Sequence, residues 1–272
     1  MRLCVISLMS LVLLLLIIGV LPARPITVES GIFYRDRDTL TTVELSAFQI
    51  WQTEITRKQY FEVMKVAWDS TNAMIPVSTV SWFDAIEFCN RLSMVDSLRL
   101  TPVYRYAGYS TNPDSWPSGW NADDRNHVNI ICDWTADGYR LPTEMEWMFA
   151  AMGGKHTEGY RYSGSSDINS VAWYGGNSHQ RAREVALKRS NKLELYDMSG
   201  NIWEWCWDIH RAYEKGDYKD PRGPEKGSYR VLRGGSWLTP GITCSVSHRF
   251  CFAPTTKKNY IGFRIARTIS RD

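Results

Sequence analysis

The sequence predicts a mixed α+β fold that is sparse in regular secondary structure, with helices early and a small sheet late. Three observations predict it. Three segments before residue 155 open on helix-capping pairs and carry apolar residues at helical spacing. From Asp197 onward the texture changes to short alternating strands. Twelve Trp and fourteen Tyr in 272 residues supply large flat side chains of the kind that fill irregular space.

Taken in order, the chain begins with Arg2 and an apolar run from Leu3 to Leu21, followed by Pro22-Ala23-Arg24-Pro25. This reads as a Sec signal cut near Ala23, and it is also long enough to span a bilayer uncut. Either way the body is expected to be exported: periplasmic, at the cell surface or secreted. Cys4 is too early to carry a lipid at the cut, so any membrane contact would come through the uncleaved segment. Residues 1–23 are therefore set apart, 24–30 are read as a linker, and 31–270 as one domain without internal repeat.

A strand is expected around Thr41–Leu45. In TEITRKQYFEVMK, Thr56 and Gln59 form a capping box, Ile55 and Tyr60 a hydrophobic staple, and Tyr60, Met64 and Ala67 one face. In VSWFDAIEFCNRLS, Ser81 caps with Asp84 in the first turn, and Ala85, Phe88, Cys89 and Leu92 make the buried stripe. In LPTEMEWMFAAMGG, Thr143 and Glu146 form another box, Trp147, Ala150 and Ala151 face inward, and Gly153 ends the helix. Residues 101–140 read as a long loop pinned by its aromatics. In NIWEWCWDI, Trp203, Trp205 and Trp207 share one face and Glu204, Cys206 and Asp208 the other. SYRVLRGGSW and YIGFRIART read as two more strands, with Gly234-Gly235 marking a bulge or a close backbone approach.

Charge and composition exclude several functions. The net charge is +3 and the longest basic run is Lys257-Lys258, so nucleic-acid binding has no electrostatic footprint. Outside residues 1–23 stand Cys89, Cys132, Cys206, Cys244 and Cys251, disulfide candidates in an oxidising compartment; five is odd, so at least one is unpaired or bonds another molecule. No CxxC, HxH or HExxH pattern occurs, and no Ser-His-Asp arrangement or phosphate loop can be argued. Glu144 and Glu146 sit at i, i+2 and so face no common site; Glu146 is assigned to the cap. Arg249 and Arg264 are assigned structural contacts to aromatic rings or carboxylates.

Five ordered stretches, PVSTVSWFDAIEFCNRLS, GYRLPTEMEWMFAAMGG, LYDMSGNIWEWCWD, RVLRGGSW and GFRIAR, resemble the formylglycine-generating enzyme (sulfatase-modifying factor) family. The resemblance runs from about residue 31 to 270. It implies a C-type-lectin-like fold with the chain ends close together. The family's enzymes oxidise a sulfatase cysteine with Cu(I) held by two cysteines five apart. Along RGGSWLTPGITC the second falls on Cys244 and the first on Thr239, while Ser236 is retained. A hydroxyl does not replace a soft thiolate, so copper is not expected. Cys244 is then expected in a disulfide, with Cys206 as the nearest candidate. The resemblance also implies a structural calcium held by Asp197 and Glu204 carboxylates and Gly200 and Ile202 carbonyls, all hard oxygens.

The same family and fold include variable proteins of diversity-generating retroelements, treponemal ones among them, in which the segment between framework strands varies. Here RGGSW and IGFR would be framework. Between them the resemblance places a ligand surface for a protein or glycan, on Leu238, Thr239, Thr243, Ser245, His248, Phe250, Phe252 and Thr255, with Trp237 beside them read either as an exposed anchor or, as for most Trp, as a core residue. Three functions follow: a non-catalytic binding protein with its surface in 237–258, an oxidase with an altered copper site built on Cys244 and Ser236, and a structural envelope component.

Overall fold

The computed structural model describes residues 24–35, 41–68 and 70–269; the signal or anchor expected at 1–23 lies outside them. The chain opens with strands β1 (Pro25–Val28), β2 (Gly31–Tyr34), β3 (Thr42–Leu45) and β4 (Phe48–Trp51). Helices α1 (Arg57–Met64) and α2 (Trp82–Val95) follow, then β5 (Tyr104–Tyr106), β6 (Ile130–Cys132), β7 (Tyr139–Arg140), α3 (Glu144–Ala151) and α4 (Ile168–Val171). The last third holds β8 (Trp203–Ile209), β9 (Tyr218–Lys219), β10 (Arg230–Arg233), β11 (Arg249–Phe252), β12 (Ile261–Gly262) and β13 (Ala266–Thr268).

Residues 24–30 are not a linker. Pro25–Val28 pairs antiparallel with β4 and buries Ile26 and Val28, an alternation too short to register as a period in the sequence. On its other edge β4 pairs with β13, so the first and last described strands flank the same strand and the chain ends meet there.

All three capping boxes form. Thr56, Ser81 and Thr143 each accept from the third residue of their helix, whose side chain returns the bond to the cap amide. α1 is shorter than expected. Lys65 turns into the left-handed region and closes it, leaving Ala67 outside the helix. The YIGFRIART segment is likewise two strands, not one: β12 runs parallel to β8 in one sheet, and β13 joins β4 and β7 in another.

β8 divides the interior. Its Trp203 and Trp205 pack into a core with α2, the 100–141 loop and Phe263, while Cys206 belongs to a second core with α3 and the N-terminal strands. Both faces of the strand are therefore buried. The long loop is ordered as its aromatics suggest: Trp116 and Trp120 are buried edge to face at 4.5 Å.

The five cysteines outside residues 1–23 are all unpaired, which overturns the expected Cys206–Cys244 bridge. Cys206 lies in the second core, whereas Cys244 sits in a small separate cluster with Tyr162 and Val171.

Candidate functional site

Two glycines at the end of β10 build the C-terminal site. Gly234 and Gly235 both lie at positive φ, 97° and 78°, where L side chains are strained. A Cβ on Gly235 would stand 2.6 Å from the Cys244 sulfur, so the close approach read from the sequence is real. The chain then folds back over the 197–202 turn. The Gly200 amide donates to the Gly234 carbonyl at 2.8 Å, and the Trp237 amide to the Asn201 carbonyl at 2.7 Å. Ser199 Oγ donates to the Cys244 carbonyl at 2.8 Å, and Ser178 Oγ to that of Trp237 at 2.8 Å.

This brings Ser236, Thr239, Thr243 and Cys244 together. Thr239 Oγ1 accepts from the Ser236 amide at 2.9 Å and from Thr243 Oγ1 at 2.8 Å. Cys244 is fully buried, and burial pushes its thiol up to about 12; Thr243, Thr239 and the Ser236 amide oppose this by hydrogen bonding to the sulfur. A lone, protonated thiol among hydroxyls does not fit Cu(I), which takes deprotonated soft donors.

The proposed ligand residues divide in two. Trp237 and Ser245 are buried, and Thr255 is bound to Asp124 through both its amide (3.0 Å) and its hydroxyl (2.6 Å). Leu238 and Phe250 are outward, 52% and 44% exposed, and are joined by Ile242 at 60%, which sequence reasoning did not single out. Phe250 leans on Trp203 (5.6 Å) and Phe252 (5.2 Å), and His248 on Trp203 (5.9 Å). Phe250 and Phe252 ride on β11, the edge strand of its sheet, whereas the stretch from Leu238 to Gly241 lies against Gly175, Ile168 and Tyr174.

A second cluster surrounds Glu204. Arg264 donates Nε to one oxygen (2.6 Å) and Nη2 to the other (2.8 Å), and Trp147 Nε1 adds a third bond at 2.7 Å. Asp197, at φ 58°, uses Oδ2 to accept from the Ala186 amide at 2.7 Å. Its Oδ1 is buried without a partner, as is Oε1 of the neighbouring Glu54. Burial raises both carboxyls, Asp197 to about 6, and the negative charges of Asp197 and then Glu204 raise Glu54 further. Two buried carboxyl oxygens near the 197–202 turn are thus left without partners, but no three His, Cys, Asp or Glu side chains gather into a metal site among the described residues; Glu204, already committed to Arg264 and Trp147, is not the free ligand the resemblance implied.

A third cluster was not foreseen. Glu144 binds Arg249 through both oxygens (2.6 and 2.8 Å) and Arg233 at 2.8 Å. Its helical spacing to Glu146 gave no hint of this, because its partners come from β10 and β11.

Residues 21–269 of the sequence match the sulfatase-modifying factor enzyme 1-like domain. The chain belongs to that family. A chaperone protein LppX of Paenibacillus barcinonensis is 32% identical over 266 residues, 89% of either chain. The formylglycine-generating enzyme of Streptomyces coelicolor is 35% identical over 160 residues, which is 52% of this chain and 50% of that enzyme. Among solved structures, Treponema denticola variable protein 1 superposes with a TM-score of 0.76 at 34% identity, covering 90% of this chain and 95% of its own. The fold is the C-type-lectin-like one of the sulfatase-modifying factor family, as its sparse elements and joined chain ends suggested.

Proposed function

We propose that this family member is an exported, non-catalytic binding protein whose ligand, a protein or glycan, is taken up by the surface spanning residues 237–258. One observation carries this reading: the position beside Cys244 is Thr239, and the remaining thiol is buried and protonated. The exposed apolar side chains Leu238, Ile242 and Phe250 on a rigid floor support a recognition surface. The similarity to proteins named a chaperone and a variable protein agrees with binding in place of oxidation. The similar Streptomyces enzyme aligns over only half of either chain, so its activity is a weaker guide.

Structural calcium belongs to the same reading. Asp197 Oδ1 and Glu54 Oε1, with the Gly200 and Ile202 carbonyls, would supply hard oxygens, and Glu204 whatever lone pair Arg264 leaves.

The test is to incubate the reduced protein with Cu(I) and a cysteine-containing sulfatase-motif peptide in air, following peptide mass, alongside Thr239→Cys. The expected result is no aldehyde from the natural chain, with copper held more tightly by the variant. Formylglycine made by the natural chain would overturn the proposal.

A further inference from the structure

A cavity of about 560 Å³, which Cys244 does not line, opens between the N-terminus of α3, the end of β8 and the 211–226 loops. That volume is in the range of small-molecule sites, roughly 300–1,000 Å³. Val43, Met145 and Ile209 give it apolar walls, and at its base lie two carboxyl groups, Glu144 and Asp208, each almost wholly buried.

The two carboxyls are held differently. Glu144 is neutralised by Arg233 and Arg249, whose guanidinium charges hold its carboxyl below the usual carboxylate range against the opposing effect of burial. Among the described residues no arginine is bonded to Asp208, and its one hydrogen bond is Oδ2 accepting from the Glu144 amide at 2.7 Å. Burial, then the negative charge of Glu144, pushes Asp208 up to about 8, so it carries a proton at neutral pH.

Most of the remaining charged groups in the cavity are positive. Tyr213 has the guanidinium of Arg35 at 4.0 Å and that of Arg249 at 3.9 Å from its ring centre, which two cations can share only from opposite faces. At the mouth, Arg211 and Lys226 are without side-chain partners among the described residues, and Glu214 and Glu225 offset them. With the rim balanced and Asp208 uncharged, the arginines below it outnumber Glu144.

We propose that this cavity is a second ligand site, one that takes a small organic acid, its apolar body against Val43, Met145 and Ile209 and its carboxylate accepting a hydrogen bond from the carboxyl of Asp208. An acid O–H donating to a carboxylate is among the short, strong hydrogen bonds. The inward arginines favour the anion; Arg249 is the one residue of the 237–258 segment that lines this site, and none of the exposed apolar side chains of that segment does.

The proton on Asp208 makes the binding pH-dependent. Glu144 and Glu146 on α3, Arg230 on β10, and Arg222 and Glu225 in the covering loop are the charged groups around it, together with Arg249 on β11. Losing that proton sets two anions against each other, so affinity for an acid falls as pH rises through about 8.

The experiment titrates the protein with benzoate, octanoate and benzylamine, reading the Met145 methyl by NMR and affinity by calorimetry. Saturable binding of an acid is expected, weakening about tenfold per pH unit above the Asp208 transition. Asp208→Asn, whose amide still donates, should bind with a flat pH profile. Ala212→Trp, at an exposed lining position, should abolish binding without unfolding the chain. Preference for benzylamine, no saturable binding of either acid, or acid binding that survives Ala212→Trp would overturn the proposal.

Discussion

Arg264 donates to both oxygens of Glu204 and to the carbonyls of Trp51, Gln52 and Tyr196, with no solvent contact at either end of the ion pair. Removing one partner of such a pair leaves an uncompensated buried charge, whereas replacing both is often nearly neutral. Arg264→Met should therefore destabilise the protein by about 3–5 kcal/mol in urea unfolding. Adding Glu204→Gln to it should recover part of that loss, since the stranded charge is gone. The sequence indicated the type of contact Arg264 and Arg249 make, because a guanidinium among Trp-rich strands needs a ring or a carboxylate. It did not indicate the partners. Glu144 and Glu204 stand 105 and 60 residues from theirs, and no local spacing encodes such distances.

At the level of elements, helix starts were the most legible feature, because a capping box is a bond between residues three apart and needs no tertiary context. Thr143→Ala should cost about 1 kcal/mol, the usual loss for a cap hydroxyl. Glu146→Ala should cost more, since Glu146 also holds the buried Arg140 guanidinium at 2.6 and 2.7 Å. Denaturant midpoints of the two variants give that comparison, and equal losses would deny the ion pair any share in stability. Strand limits were less legible. YIGFRIART alternates like one strand, yet its halves pair with β8 and β4, and the change of sheet is set by partners far away in the chain. Pro25–Val28 has only two apolar residues, and it becomes a strand because β4 offers an unpaired edge.

At the scale of the whole molecule, Glu54 and Asp197 are buried carboxyls whose Oε1 and Oδ1 have no partner, and burial raises both. If these oxygens hold calcium as proposed, the metal binds the folded chain alone and stabilises it by mass action. Calcium should then raise the melting temperature, chelation should lower it, and Asp197→Asn should remove most of the difference; a melt indifferent to both calcium and chelator would count against the site. The sequence by itself determined the family, the mixed fold, the three helix starts, the alternation of β8 and the loss of a thiolate at Thr239, because each of these is written in neighbouring residues. Only the tertiary structure decided that Cys206 and Cys244 lie in separate cores, that Ile242 is exposed, and that Glu144 and Asp208 line one cavity. These depend on which distant strands come to lie side by side, and burial, charge pairing and exposure are properties of that arrangement.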